Sequence, residues 1–259
     1  GRFLGFDPSV VPGPQGSPFG AGICRPMKRT IALLLLSQAC AWAEPTTDRM
    51  LQIARQEWEF FGKQTIGKDG KVSHPGHRET DEGYWQRVGL YWRNGVFQNF
   101  TGKDTDEAWS AAFMSYVMRE AGLGGRFTYS DWHAHYINQA IDGRAEQDPN
   151  CAFYGYRLNE RAPQVGDLVC YRRAEGISFD NRPETYPSHT DLVVAVRPGE
   201  IDVIGGNVQD SVTMKTLATD AEGYLADTNQ HWFAVLGNRL VDPRLVHHPS
   251  CIWASTFRP

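Results

Sequence analysis

Asp104-Thr105-Asp106-Glu107-Ala108-Trp109-Ser110-Ala111-Ala112-Phe113, running on to Ala121 and stopped by Gly122, is the stretch from which the fold reads most clearly. Asp104 with Glu107 three residues on forms a capping box, and the apolar run behind it predicts a helix. A second cap at Ser130 precedes a shorter helix over Trp132 to Ile141, where His133, Tyr136, Ile137 and Ala140 share one face. Upstream, Met50, Leu51, Ile53, Ala54, Trp58 and Phe61 recur at helical spacing and predict an amphipathic helix over Thr47 to Phe61. Residues 67–83 read as a polar loop, and the aromatic-dense stretch from Tyr84 to Phe100 shows no period.

After Pro163 the texture changes to strands. Val165 to Tyr171, Thr190 to Val196 and Glu200 to Ile204 carry β-type runs, with Pro198-Gly199 as the turn between the last two. Val208 to Leu217 and His231 to Leu240 add further candidates. Helices first and strands later imply an α+β domain, its helices packed on an antiparallel sheet.

The beginning of the chain carries a different signal. Met27-Lys28-Arg29, the apolar run Ile31 to Leu36 and the small-x-small triplet Ala41-Trp42-Ala43 have the pattern of a secretory signal peptide, too short to span a bilayer. The expected organisation is a disordered upstream extension over 1–26, a signal peptide over 27–43 and a single domain over 44–259, in a periplasmic or secreted protein. Cys40 offers a lipoprotein alternative, although Gln38 stands where a small residue is wanted. No membrane span follows the signal. The formal net charge of -4 and the lack of a long basic run argue against a nucleic-acid partner. Cys151, Cys170 and Cys251 remain after cleavage, so an oxidising compartment leaves room for one intramolecular disulfide, its partners open.

Ser110 sits in the first turn of the capped helix, where free backbone N–H groups and the helix dipole favour negative charge. His189 opens one strand and Asn207 follows the next, in Ile204-Gly205-Gly206-Asn207. Nucleophile, base and orienter are therefore present in the right chemical types. Asp191, on the same strand face as His189, is a second candidate orienter or a solvated charge. His133 either packs in the core or serves as a substitute base facing Ser110. Spacing gives no convincing ligand set among His74, His77, His133, His135, His247 and His248, so neither metal nor cofactor is expected. Cys170, inside a strand, reads as buried or disulfide-bonded.

Trp109-x-Ala111-Ala112-Phe113, Pro163-x-x-Gly166-Asp167-Leu168-Val169, His189 before an apolar strand and Ile204-Gly205-Gly206-Asn207 together resemble the CHAP and NlpC-type cell-wall hydrolases. Those are papain-like enzymes that cut peptidoglycan amide bonds with Cys, His and a polar third residue. In this chain Ser110 stands at the nucleophile position, which, with Ser130 and His133, is more similar to the bacterial domain of unknown function family 2272. The resemblance implies an exported peptidoglycan amidase or peptidase using Ser110, His189 and Asn207 or Asp191, with peptidoglycan or a cell-wall peptide as partner. The alternative is a catalytically silent papain-like domain that binds wall peptide or a protein in the same groove. A third reading, an ester-cleaving serine hydrolase, lacks the Gly-x-Ser-x-Gly elbow.

Overall fold

A computed structural model describes residues 47–240; the stretches read as an upstream extension and a signal peptide, and Cys251, lie outside them. The first helix, α1 (Thr47–Phe60), buries Met50, Ile53, Ala54 and Glu57 and follows the periodicity closely. Two short strands, β1 (Thr65–Ile66) and β2 (Val72–His74), fall in and beside the stretch read as a loop. The aperiodic aromatic region is helical: α2 (Tyr84–Leu90) widens into a π-helical segment over Tyr91–Val96. Wider winding explains the missing 3.6-residue period. The segment packs very close to the central helix α3 (Ser110–Glu120), since a Cβ on Gly95 would lie 2.5 Å from the Ala112 carbonyl oxygen.

The central helix begins at Ser110, later than the capping box predicts. Asp104 looks backward instead, its Oδ2 accepting from the Thr101 N–H at 2.7 Å and the Thr101 hydroxyl at 2.9 Å. A carboxylate engaged in that preceding turn is not free to cap the helix. Ser130 likewise caps a turn, accepting the Trp132 N–H at 2.9 Å, before α4 (His133–Glu146).

The remaining strands are β3 (Phe153–Tyr156), β4 (Leu168–Arg172), β5 (Ser188–Arg197), β6 (Glu200–Val208), β7 (Ser211–Ala218) and β8 (His231–Asn238). They join the first two in one open sheet of order β2-β1-β7-β6-β5-β4-β8-β3, giving an α+β fold. Every pairing is antiparallel except that of β1 with β7, so the sheet is mixed where an antiparallel one was expected. The parallel pair arises because the chain leaving α1 meets β7 before turning back through β2. The sequence reading did not contain β3, a four-residue strand with aromatics on both faces.

Strand alternation divides the sheet into two faces. Leu168, Cys170, Leu192, Val194, Ile204 and Leu236 join the helices in the main core. Val169, Tyr171, Val193, Val203, Leu217 and Trp232 form a second cluster. The Pro-x-x-Gly-Asp motif closes the loop into β4: Asp167 accepts from Arg161 Nε at 2.7 Å and Nη2 at 2.9 Å, and from the Gln164 and Asn238 N–H groups at 2.9 and 2.8 Å. Gly166 there has a φ of 91°, which explains the glycine.

At Gly205-Gly206, strand β6 passes through a gap with no room for side chains. A Cβ on Gly205 would lie 2.0 Å from Asp191 Oδ1, and one on Gly206 2.6 Å from the Phe113 ring. Gly205→Ala should therefore destabilise the protein by about 1–3 kcal/mol through overpacking. Gly125→Ala, whose Cβ meets nothing within 4 Å, should stay within about 0.5 kcal/mol of wild type. Urea unfolding of both variants checks this, and equal stability of the two would contradict the close approach.

Candidate active site

Ser110 is the first residue of α3, and the first intrahelical bond behind it runs from the Phe113 N–H to the Trp109 carbonyl. The N–H groups of Ser110, Ala111 and Ala112 therefore point out of the helix start without an acceptor in the preceding turn. Trp109 is fixed from two sides. Its indole N–H donates to the buried carboxylate of Glu79, and its backbone N–H meets the Asn207 carboxamide. With the Asn207 oxygen turned toward Trp109, that bond is 3.1 Å, and the amide nitrogen donates to Glu79 Oε2 at 3.3 Å. Asn207, at a φ of 53°, thus props the turn that presents Ser110 and bonds neither His133 nor His189.

The Ser110 Oγ lies 2.7 Å from His133 Nε2. His133 opens α4, and one turn further Tyr136 places its hydroxyl on the other ring nitrogen, Nδ1. When Nδ1 carries the proton, it donates to the Tyr136 oxygen and the Ser110 hydroxyl donates to Nε2, the arrangement a serine nucleophile requires. Burial holds the His133 imidazole well below its ordinary value, helped by the neighbouring His189 and Arg173 and opposed by Asp191. His133 is therefore neutral near pH 7 and able to accept a proton.

His189 occupies a separate network. Its Nε2 lies 3.0 Å from Asp191 Oδ1, and Asp191 Oδ2 accepts from Lys215 Nζ at 2.6 Å. His189 and Asp191 are fully buried, so Asp191 is not a solvated charge. Burial alone would raise the Asp191 carboxyl, yet Lys215 and His189 hold it below the usual carboxylate range. The register explains the separation from Ser110: His189 pairs with Tyr171 and Asp191 with Val169, on the sheet face of the second cluster, whereas Thr190 turns toward the helices. The two histidine rings still approach, with centroids 5.0 Å apart. His189 Nδ1 faces Arg173 Nη2 at 3.4 Å.

The structure thus pairs Ser110 with His133, and His189 with Asp191. The sequence reading missed Glu79, Lys215 and Arg173. Lys215 left no trace, since the residues that share its phase of β7 include the polar Ser211 and Thr213 beside Leu217. Glu79 sits in a loop with no pattern to betray it.

A cleft of about 210 Å³ opens beside Ser110 and His133, lined also by Ala108, Trp132, Arg173 and Tyr186. Among the described residues no group of three or more His, Cys, Asp or Glu is placed to hold a metal ion. No helix among them is long and apolar enough to cross a membrane. Cys151 and Cys170 are both free and buried, and burial raises the Cys170 thiol, whose partner is the Thr190 hydroxyl at 3.7 Å.

A family model described as an uncharacterized protein conserved in bacteria (DUF2272) matches residues 95–244, more than half of the 259-residue chain. The chain belongs to this family. The DUF2272 region takes in Ser110, His133, His189, Asp191, Asn207 and Lys215, while Glu79 lies before it. No curated protein and no solved structure matches the chain.

The paired histidines make stability depend on pH. Burial lowers both His133 and His189, so below the ordinary histidine value of about 6.5 the unfolded chain binds more protons than the folded one. Their stabilisation is present above about pH 6.5 and is lost as pH falls through the depressed folded values. Asp191 adds a further loss only below the carboxylate range of about 4. The urea midpoint should hold from about pH 8 to 7 and fall between about pH 6.5 and 5. A flat midpoint across that span would contradict neutral, buried imidazoles.

Proposed function

We propose that this chain is an exported serine-dependent hydrolase of amide bonds in peptidoglycan, with Ser110 as nucleophile and His133 as general base. The observation that carries the reading is the 2.7 Å contact between Ser110 Oγ and His133 Nε2 at the start of α3, beside an open cleft. The choice of wall peptide as substrate rests on the resemblance of the Trp109, Pro163, His189 and Asn207 motifs to papain-like wall hydrolases, and export rests on residues 27–43.

The chemistry divides into two steps. Ser110 Oγ attacks the carbonyl carbon while its proton moves to His133 Nε2. The N–H groups at the start of α3 donate to the developing oxyanion in a region where the dipole favours negative charge. His133 then gives the proton to the departing amine, leaving an ester on Ser110. Water attacks that ester, passes a proton to His133 Nε2, and the proton returns to Ser110 Oγ as the acid product leaves. Tyr136 accepts from Nδ1 and holds the imidazole in the required tautomer. A tyrosine hydroxyl carries no formal charge and stabilises an imidazolium less than the carboxylate of the usual triad. That weakness favours the second reading, a silent domain that binds wall peptide.

Incubating the protein with purified sacculi and analysing released fragments by mass spectrometry separates the two. Wild type should release peptides cut at one type of amide bond. Ser110→Ala and His133→Ala should each lower the rate by at least about a thousandfold, with the double variant no worse than either. Ser110→Cys should keep activity, since a thiol beside an imidazole ionises more readily than a hydroxyl. If wild type releases nothing while wild type and Ser110→Ala bind sacculi equally, the binding reading takes the place of the hydrolase.

A further inference from the structure

Arg173 follows directly after β4, where its N–H donates to the Pro187 carbonyl at 2.9 Å and its side chain is exposed. It is the one cationic side chain lining the Ser110 cleft among the described residues. It also lines a second cavity of about 230 Å³ on the other side, bounded by Tyr171, Lys215, Asn207 and Trp232. Its guanidinium donates to the Tyr171 hydroxyl at 3.1 Å and faces His189 Nδ1 at 3.4 Å. Neither partner is a carboxylate: one is a phenol hydroxyl and the other an imidazole that burial keeps uncharged.

Other arginines of the sheet and its loops are matched with carboxylates: Arg161 with Asp167, Arg157 with Glu160 and Asp180, and Arg197 with Glu200 and Asp202. A guanidinium presents a planar fork of donors that fits one carboxylate with two parallel bonds. Arg173 carries that fork as a lining residue of both cavities, one of which is also lined by Ser110. The buried carboxylates behind the site are already engaged, Asp191 by Lys215 and His189, and Glu79 by Trp109. Asp131, the other charged residue lining the cleft, accepts from Gln98 Nε2 at 2.9 Å, and its charge disfavours an anion at its own position.

We propose that Arg173 is a specificity-determining residue that binds a carboxylate of the peptide entering the Ser110 cleft. This rests on reading that cleft as the peptide site. The preferred substrate is then a peptide with a free carboxylate close to the cut amide, rather than an amidated or neutral one. Docking has a second consequence. Arg173 helps to depress the His133 imidazole, so a carboxylate that offsets its charge makes His133 a better proton acceptor when substrate is bound.

The test measures binding without turnover. In the Ser110→Ala background, isothermal titration compares N-acetyl-alanyl-alanine carrying a free C-terminal carboxylate with the same peptide amidated. The free acid should bind at least about tenfold more tightly than the amide. Arg173→Gln should abolish that preference, and Arg173→Lys should keep part of it, since a point charge replaces the fork. Arg173 is exposed, so both variants should keep the wild-type circular dichroism spectrum, which checks that they fold. Equal affinity for acid and amide, no measurable binding of either, or a preference that survives Arg173→Gln would overturn the proposal. Because no cleavage is required, a carboxylate preference in a protein inert toward sacculi would sink the hydrolase reading and leave Arg173 as the ligand-recognising residue.

Discussion

Strand β6 runs between the start of α3 and the Asp191 network with clearance for hydrogen atoms only, and that single close approach sets the positions of both polar clusters. Gly206 lets Phe113 lie against the strand, and Gly205 leaves the space in which Asp191 meets His189. Asn207, one residue on, reaches the Trp109 N–H and Glu79 because the strand comes this near. Any side chain at either glycine would push α3 from the sheet or displace the Asp191 carboxylate. The helix start that presents Ser110 is thus held by a neighbouring strand where a helix of this kind would ordinarily rely on its own cap.

The two clusters differ in kind. Ser110, His133 and Tyr136 form a chain of uncharged groups on the helical side, ending at a cleft. His189, Asp191 and Lys215 form a buried charged network on the other side of the sheet. Lys215 is essential to that network, because a carboxylate buried among apolar residues without a cation is costly, by several kcal/mol. Its ammonium also lies 5.3 Å above the Tyr171 ring and 5.6 Å above that of Trp232, which compensates for lost water. Burial leaves His189 neutral beside His133, whose own imidazole is held down first by burial and then by the neighbouring His189.

Much of this was legible in the sequence. The helical period of α1, the apolar run of α3 and the β-type runs of β4 to β8 identified those elements, because α1 buries one face while α3 and the central strands are buried on both sides and read as continuous apolar runs. The π-helical turn and β3 were not legible, since widened winding and a four-residue strand leave no period to read. At the site, residue types were legible and partnerships were not. Ser110, His133, His189, Asp191 and Asn207 all carry the right chemistry, but which imidazole meets Ser110 is decided by β5 alternation and by where α4 begins. The capping box misled for a similar reason, as Asp104 was free to bond backward to Thr101. Arg173 gave no sign at all, for its meaning depends on the fold committing the surrounding carboxylates to other partners.

The central claim is that His133 makes the Ser110 hydroxyl nucleophilic. Labelling with a fluorophosphonate, which reacts only with an activated serine, measures this without knowledge of the substrate. Intact-protein mass spectrometry of wild type should show one adduct, mapped by digestion to Ser110, and His133→Gln should reduce its rate of formation by at least about a hundredfold while His189→Gln retains it. An unlabelled Ser110 in folded wild-type protein, or labelling as fast in His133→Gln as in wild type, would contradict the claim.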